Sequence, residues 1–202
     1  MVTRGLLVRL KAKTGKDDAV EGFLHSALGE VGKELSTTAW FAIRFGRSEY
    51  GIFDVFADDA ARDAHLAGPL AKMLLEDEQG LFAVPPRIQK FAVIADKLPA
   101  MLPPELTKAL LLTFKAKARR VAAVEDFLRN AMQWVRAEPK TAAWFAIRLE
   151  SGEYGIFDLF PDAMGRFEHL TGHVPRELAK HALSLLGSIP DLRLLNVVAA
   201  KR

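Results

Sequence analysis

The sequence of 202 residues contains no cysteine, which excludes disulfide bonds, thiolate metal sites and a cysteine nucleophile. The sequence also lacks an excess of charge of one sign, because 28 Lys and Arg are nearly balanced by 25 Asp and Glu. The basic residues are scattered and form no concentrated stripe. Nucleic-acid binding generally requires such a stripe, so we expect no nucleic-acid partner. Glycine-rich phosphate loops and a nucleophile-elbow sequence are absent as well, which argues against a nucleotide cofactor and a serine nucleophile.

Long hydrophobic runs are lacking too. No run reaches the length of about 18 apolar residues that a membrane-spanning helix needs. The N-terminal stretch MVTRGLLVRLKAK is interrupted by Arg9 and is not typical of a signal peptide. We therefore expect no membrane partner and a cytoplasmic location.

The sequence contains an internal repeat with a spacing of 104 residues. The segment AWFAIRFGRSEYGIFDVF at 39–56 returns as AWFAIRLESGEYGIFDLF at 143–160, and the same shift places Lys97 on Lys201. So long a match indicates a duplicated module. We predict a first ferredoxin-like module at 1–98, a stiff proline-rich linker at 99–105 and a second module at 106–202.

Each copy predicts the element order β-α-β-β-α-β, the split unit of ferredoxin-like folds. In the first copy we predict a strand at 5–12, a helix at 16–35 with an apolar stripe that includes Leu35, and a hairpin at 39–56. A second helix should follow Asp58 and break at Gly68-Pro69, and the last strands should lie near 88–95 and 192–200. Asp58 and Asp162 are expected to cap their helices.

The two hairpins are apolar almost throughout, which is typical of strands that are covered on both faces. Helices of the same copy can cover one face, and we predict that the sheet of the other copy covers the second. The predicted fold is α+β, with two ferredoxin-like βαββαβ modules packed sheet to sheet as an intramolecular dimeric α+β barrel. A turn at Arg47-Ser48 predicts that one hairpin face carries Trp40, Ala42, Arg44, Gly51, Phe53 and Val55, and the other Phe41, Ile43, Tyr50, Ile52, Asp54 and Phe56.

The strands WFAIR and YGIFDVF, the following helix with Arg62 and His65-Leu66, and their counterparts in the second copy resemble the antibiotic biosynthesis monooxygenase family of dimeric α+β barrels. This resemblance covers nearly all of both copies and implies a pocket between sheet and helices in each half. The family includes cofactor-independent oxygenases that act on quinol-like aromatics, and heme-degrading enzymes. Heme degradation is disfavoured, because Phe56 and Phe160 replace the tryptophan of that branch and the first strands carry no asparagine.

His65 and His169 occupy equivalent positions, and an imidazole titrates near neutral pH, so we predict them as catalytic residues that position or deprotonate a phenolic substrate. A structural hydrogen bond is the alternative for both. Asp54 and Asp158 interrupt apolar strands and need a partner when buried; Arg62, His65 or their equivalents could supply it. The predicted substrate contacts are Trp40, Arg44, Phe53, Asp54, Phe56 and Arg62, with Trp144, Arg148, Phe157, Asp158, Phe160 and Arg166 in the second copy.

The predicted function is that of a monooxygenase, an oxidoreductase that oxidises a small quinol- or phenol-like aromatic with O2 and requires no metal or other cofactor. A metal at His169 and His173 is disfavoured because Gly172 and Pro175 interrupt the helix that would carry them. The alternative is a non-catalytic small-molecule-binding or stress-related protein on the same scaffold. Assembly of the pseudo-dimer into a further homo-oligomer stays open.

Overall fold

The computed structural model describes residues 1–77 and 79–201, and the same succession of elements occurs twice along them. The first succession is β1 (Arg4–Lys11), α1 (Asp17–Val31), β2 (Thr37–Gly46), β3 (Glu49–Phe56), α2 (Asp59–Leu66), α3 (Pro69–Glu76) and β4 (Arg87–Lys97). The second is β5 (Lys108–Phe114), α4 (Val121–Arg136), β6 (Ala143–Leu149), β7 (Tyr154–Phe160), α5 (Ala163–Leu170), α6 (His173–Leu185) and β8 (Asp191–Lys201). Both correspond to the predicted β-α-β-β-α-β order with the second helix broken in two.

The strands are hydrogen-bonded in the order β1-β3-β2-β8-β5-β7-β6-β4, which closes into a barrel. The predicted α+β class, with two ferredoxin-like modules in a barrel, is confirmed. None of the helices within the described residues is both long and apolar enough to cross a membrane.

The chain divides into two compact units that are not the two sequence repeats. Unit 1 consists of Met1–Phe91 and the chain from Asn196 onward, and unit 2 consists of Ala92–Leu195. Strands β4 and β8 are therefore each divided between the units. The module boundaries at 98 and 106 describe the repeat and stay a prediction.

In each unit the first helix packs an apolar stripe onto the sheet. On α1 the stripe is Val20, Phe23, Leu24, Ala27 and Val31, all buried in the core of unit 1. On α4 the corresponding residues are Val124, Leu128, Ala131 and Val135. The predicted extension of the first stripe to Leu35 is wrong: α1 ends at Val31, and Leu35 is fully exposed.

The predicted hairpin faces are wrong by one residue. Trp40 pairs with Asp54 and Arg44 with Tyr50, so Asp54 lies on the face of Trp40 and Phe53 on the face of Phe41. The cause is a β-bulge at Phe45, an extra residue between the Arg44 and Gly46 pairs. One inserted residue reverses which side chains share a face, because side chains alternate along a strand.

The predictions for the second helices are confirmed. Asp58 accepts a hydrogen bond from the backbone N–H of Ala61, and Asp162 accepts one from Gly165. The helix breaks after Leu66 and restarts at Pro69, whose ring suits the first position of a helix.

Candidate functional site

A buried imidazole stands between two carboxylates in unit 2. Strand β7 carries Asp158, the last turn of α5 carries His169, and Glu138 follows the end of α4. His169 Nδ1 lies 2.6 Å from Glu138 Oε2, and His169 Nε2 lies 3.5 Å from Asp158 Oδ1. The hydroxyl of Thr141 donates to the same Glu138 oxygen at 2.7 Å. We call Glu138, His169 and Asp158 the unit 2 triad.

Unit 1 contains the same arrangement at equivalent positions. His65 Nδ1 lies 2.6 Å from Glu34 Oε2, and His65 Nε2 lies 3.3 Å from Asp54 Oδ2. Thr37 donates to Glu34 Oε2 at 2.7 Å. Glu34, His65 and Asp54 form the unit 1 triad.

In each unit, a lysine at the end of a strand donates hydrogen bonds to the loop that carries the glutamate. In unit 2 the Lys97 ammonium donates to the carbonyls of Val135 and Glu138 at 3.0 and 2.6 Å. In unit 1 Lys201 donates to three carbonyls, at Val31, Glu34 and Thr37. A charged donor satisfies carbonyls that a helix end leaves without an intrahelical partner.

The unit 2 triad has strongly perturbed protonation equilibria. Burial raises the pKa of Asp158 to about 7, although the neighbouring His169 acts in the opposite direction. Burial alone would lower the pKa of His169, but the charge of Asp158 and the hydrogen bond to Glu138 outweigh it and raise that pKa. Burial likewise disfavours the charge on Glu138, yet the hydrogen bonds from His169 and Thr141 hold its pKa below the ordinary value.

Asp54 and His65 of unit 1 are perturbed in the same directions as Asp158 and His169. Burial raises the pKa of Asp54, against the lowering effect of His65. His65 has a pKa raised to about 9, because its contacts with Asp54 and Glu34 outweigh the effect of burial. Both units therefore favour an imidazolium beside a carboxyl group that ionises reluctantly.

The Asp158 carboxyl group is not satisfied by hydrogen bonds among the described residues. Asp158 is fully buried, and neither of its oxygens accepts a hydrogen bond from any part of the chain that the structure describes. Asp54 is equally buried, but its Oδ2 lies closer to its histidine, 3.3 Å from His65 Nε2. The contact of Asp158 with His169 Nε2 is thus an ion pair without a directed hydrogen bond, and a buried carboxylate left in this state is costly.

A cavity of about 330 Å³ opens beside the unit 2 triad. Asp158 and His169 supply its polar side chains. The rest of its wall is apolar and comes from β5, β7, α5, α6 and the loop and strand that follow: Leu110, Leu112, Ile156, Leu170, Val174, Pro175, Leu178, Ala179, Ala182, Leu186, Pro190 and Leu192. Apolar walls with a few convergent polar groups are typical of small-molecule sites.

Unit 1 carries bulkier residues at two positions of this wall. Phe82 stands at the position of Leu186, and Leu70 at the position of Val174; both are buried in the unit 1 core. The Phe82 ring packs edge-on against Phe23 at 6.1 Å. The helix also differs, since α3 has 8 residues and α6 has 13.

A second depression, of about 350 Å³, lies on the other side of His169. Glu138, Thr141 and His169 line it, together with Trp134, Ala137, Pro139, Lys140, Gly165, Glu168, Gly172 and His173. We call it the Glu138 groove. His169 is shared by the walls of the cavity and of the groove.

The arginines predicted as substrate contacts are not among the residues that line the unit 2 cavity. Arg44 pairs with Glu21 at 2.8 Å, and Arg148 pairs with Glu125 at 3.3 Å, beside the first helices. Arg62 bonds Asp59 at 2.6 Å.

Arg166 donates to the carbonyl of Leu195 at 2.9 Å. Arg62 and His65 are the two predicted partners of Asp54. The structure places His65 beside Asp54, whereas Arg62 pairs with Asp59.

The predicted aromatic contacts are buried. Phe56 and Phe160 pack beside the rings of His65 and His169, at 5.2 and 5.4 Å. Phe53, Phe157, Trp40 and Trp144 are also buried. Among the predicted residues, Asp158 and His169 are the ones that line the unit 2 cavity, and a substrate-binding role for the others stays a prediction.

Sequence reasoning missed the glutamates and threonines of both triads. The available signal was the repeat, since a shift of 104 residues places Glu34 on Glu138 and Thr37 on Thr141. The same signal marked Lys97 and Lys201 as equivalent without indicating what they contact.

Comparison of the whole chain with solved structures shows which class of protein has this fold. A candidate monooxygenase from Fusobacterium nucleatum has a TM-score of 0.87 and 12% identity, over 100% of this chain and 94% of its own. A ferredoxin-fold protein from Listeria monocytogenes, described as related to antibiotic biosynthesis monooxygenases, has a TM-score of 0.58 and 5% identity, over 98% of this chain and 95% of its own. The chain thus has the α+β barrel fold of such proteins. The predicted resemblance to the antibiotic biosynthesis monooxygenase family is confirmed at the level of the fold.

A protein of unknown function from Nitrosomonas europaea is 48% identical, with a match that covers 50% of this chain and 98% of its own and a TM-score of 0.48. Neither a protein-family model nor a curated protein matches the chain.

Proposed function

We propose that this protein is a monooxygenase that oxidises a small, neutral, phenol-like aromatic with O2 in the unit 2 cavity, without a metal or organic cofactor. The observation that carries the proposal is the Asp158 carboxyl group, which is fully buried, lacks a hydrogen-bond donor among the described residues and lines an apolar cavity. A phenolic hydroxyl that displaces the side chains covering this carboxyl group would supply that donor, and the apolar wall would hold the ring.

The proposed chemistry begins with transfer of the phenolic proton to Asp158. A base with a pKa near 7 suits this step at neutral pH, and the imidazolium of His169 stabilises the charge that develops. The phenolate transfers one electron to O2, and the phenoxyl radical and superoxide combine at a ring carbon to form a peroxide. Loss of water, with the proton returned by Asp158, gives a quinone. Phenol and O2 thus become quinone and water, and all four electrons come from the substrate.

The reaction class also draws support from the fold neighbours, one of which is described as a candidate monooxygenase and another as related to such enzymes. Their identities of 12% and 5% indicate no substrate for this chain. The aromatic class is inferred from the cavity wall and from the unsatisfied carboxyl group.

One observation favours the alternative of a non-catalytic binding protein. Unit 1 contains the same triad, although two of its corresponding wall positions carry the larger side chains Phe82 and Leu70. The triad can therefore be retained for structural reasons alone. In that case the unit 2 cavity binds a small molecule that donates a hydrogen bond and leaves it unchanged.

The direct test measures O2 consumption by the purified, chelator-treated protein with a panel of neutral phenols and hydroquinones. We expect uptake above the buffer rate and a loss of about 10²–10⁴-fold in Asp158→Asn, which removes the base. Asp54→Asn is the matched control, because it makes the same change in unit 1 and should retain the wild-type rate.

No uptake across the panel would contradict catalysis. Saturable binding of the same phenols without uptake would select the binding protein instead. Equal losses in the two variants would show that the effect is structural.

A further inference from the structure

The two ring nitrogens of His169 face different surroundings. Nε2 lies on the cavity side, 3.5 Å from Asp158, and Nδ1 lies on the groove side, 2.6 Å from Glu138. The imidazole is almost fully buried, as is Asp158, whereas 22% of the Glu138 side chain is exposed at the groove. Solvent in the groove therefore reaches the Glu138 carboxylate, whereas the His169 imidazole and the Asp158 carboxyl group are shielded from solvent.

Three independent contacts fix the Glu138 carboxylate and its loop. The short bond to Nδ1 orients the imidazole, and Thr141 donates to the same carboxylate oxygen at 2.7 Å. Lys97 anchors the backbone carbonyl of Glu138 at 2.6 Å. A side chain held in this way cannot turn away from the ring without breaking the contact of Nδ1 or of Thr141.

We propose that Glu138 is a positioning residue: it fixes the ring of His169 and keeps it as an imidazolium, so that the cavity presents the Asp158 carboxylate beside a cation. Glu138 does not line the cavity and does not contact a substrate there. Its catalytic consequence rests on the proposed function, whereas its effect on the charge of His169 does not.

The direction of the effect follows from the charges that face His169. These are Asp158 from β7, Glu138 from the loop after α4 and the ammonium of Lys97 at the end of β4. Removal of one negative charge weakens proton binding by both members of the coupled Asp158–His169 pair. Both limbs of a bell-shaped rate profile should then move to lower pH, because each limb reports a pKa of the pair.

The test compares Glu138→Gln with Glu34→Gln, its counterpart in unit 1. Imidazole ¹⁵N signals of the full-length protein report the titration of each histidine, and O2 uptake gives the rate profile. We expect Glu138→Gln to lower the pKa of His169 by about one pH unit or more and to leave His65 unchanged. Glu34→Gln should do the reverse. Only Glu138→Gln should move the rate profile.

Two further variants complete the test. Glu138→Asp keeps the charge, and His169 should titrate much closer to the wild type than in Glu138→Gln; an equal change in both variants would overturn the role of the charge. If Glu138→Gln does not fold, Thr141→Val removes a hydroxyl that donates to the Glu138 carboxylate and also lies 3.3 Å from His169 Nδ1, and an unchanged His169 titration in it would overturn the proposal. If the wild-type protein shows no O2 uptake, the proposed function is contradicted. The NMR titration of His169 would still test the role of Glu138 in that case.

Discussion

Replacement of Asp158 by asparagine should change how the stability of the protein depends on pH. The carboxyl group has a pKa of 3.8 when solvated and about 7 in the folded protein, because it is fully buried. Between these two values the folded state binds more protons than the unfolded state, so stability falls as pH rises. The difference corresponds to about 4 kcal/mol, most of which is lost between pH 4 and pH 8. Asparagine does not ionise, so Asp158→Asn should lack this loss.

His169 acts in the same direction. Its raised pKa contributes stability that is present at low pH and lost as pH rises through the folded pKa, and this contribution shrinks when Asp158 no longer supports the imidazolium. The free energy of unfolding should therefore fall more steeply with rising pH in the wild type than in Asp158→Asn, because both the Asp158 and the His169 contributions are larger in the wild type.

Urea denaturation at intervals from pH 4 to pH 8 measures the free energy of unfolding of both proteins. We expect the stability of Asp158→Asn relative to wild type to rise by about 4 kcal/mol across this range. Asp126→Asn is a suitable control, because it makes the same substitution at a carboxylate that is 70% exposed and lies outside the triad. If the curves of Asp158→Asn and wild type run parallel to within about 1 kcal/mol, burial does not keep this carboxyl group protonated.

Three further outcomes are expected. Leu186→Phe, which introduces the residue of unit 1 into the cavity wall, should weaken phenol binding at least tenfold in calorimetry while changing the free energy of unfolding by less than about 3 kcal/mol; unchanged affinity would mean that the ligand binds elsewhere. Lys201→Met should lower the free energy of unfolding in urea by about 2 kcal/mol, because three backbone carbonyls lose a charged donor. A phenol that carries a ring carboxylate should bind at least tenfold more weakly than the parent phenol, because a second anion would be buried beside Asp158; equal affinity would contradict an apolar site.

Much of the fold follows from local signals in the sequence. Asp58 predicts a helix start because its carboxylate can accept from the backbone, and Gly68-Pro69 predicts the break because proline suits a new first turn. The hairpin register does not follow in this way. It depends on the bulge at Phe45, and the residues around the turn do not signal that insertion.

Less of the site could be predicted. The interrupted apolar strand indicated that Asp54 needs a partner, and His65 was one of the two partners considered. Glu34 and Glu138 follow the ends of their helices, where an acidic residue is ordinary, and each lies 31 residues from its histidine. The repeat alone marks these two glutamates as equivalent positions, and it gives no indication of which residues they contact. The cavity depends on how side chains from several elements pack together, which becomes visible only when the elements are assembled.

The comparison of the two units separates what the fold requires from what a ligand requires. Both units keep the triad and the lysine that anchors its loop, so retention of these groups does not by itself indicate a ligand site. The units differ in the wall, where Phe82 and Leu70 of unit 1 become Leu186 and Val174 of unit 2. Smaller side chains at these two wall positions are expected of a binding site, and an aromatic molecule bound there should stabilise the folded protein.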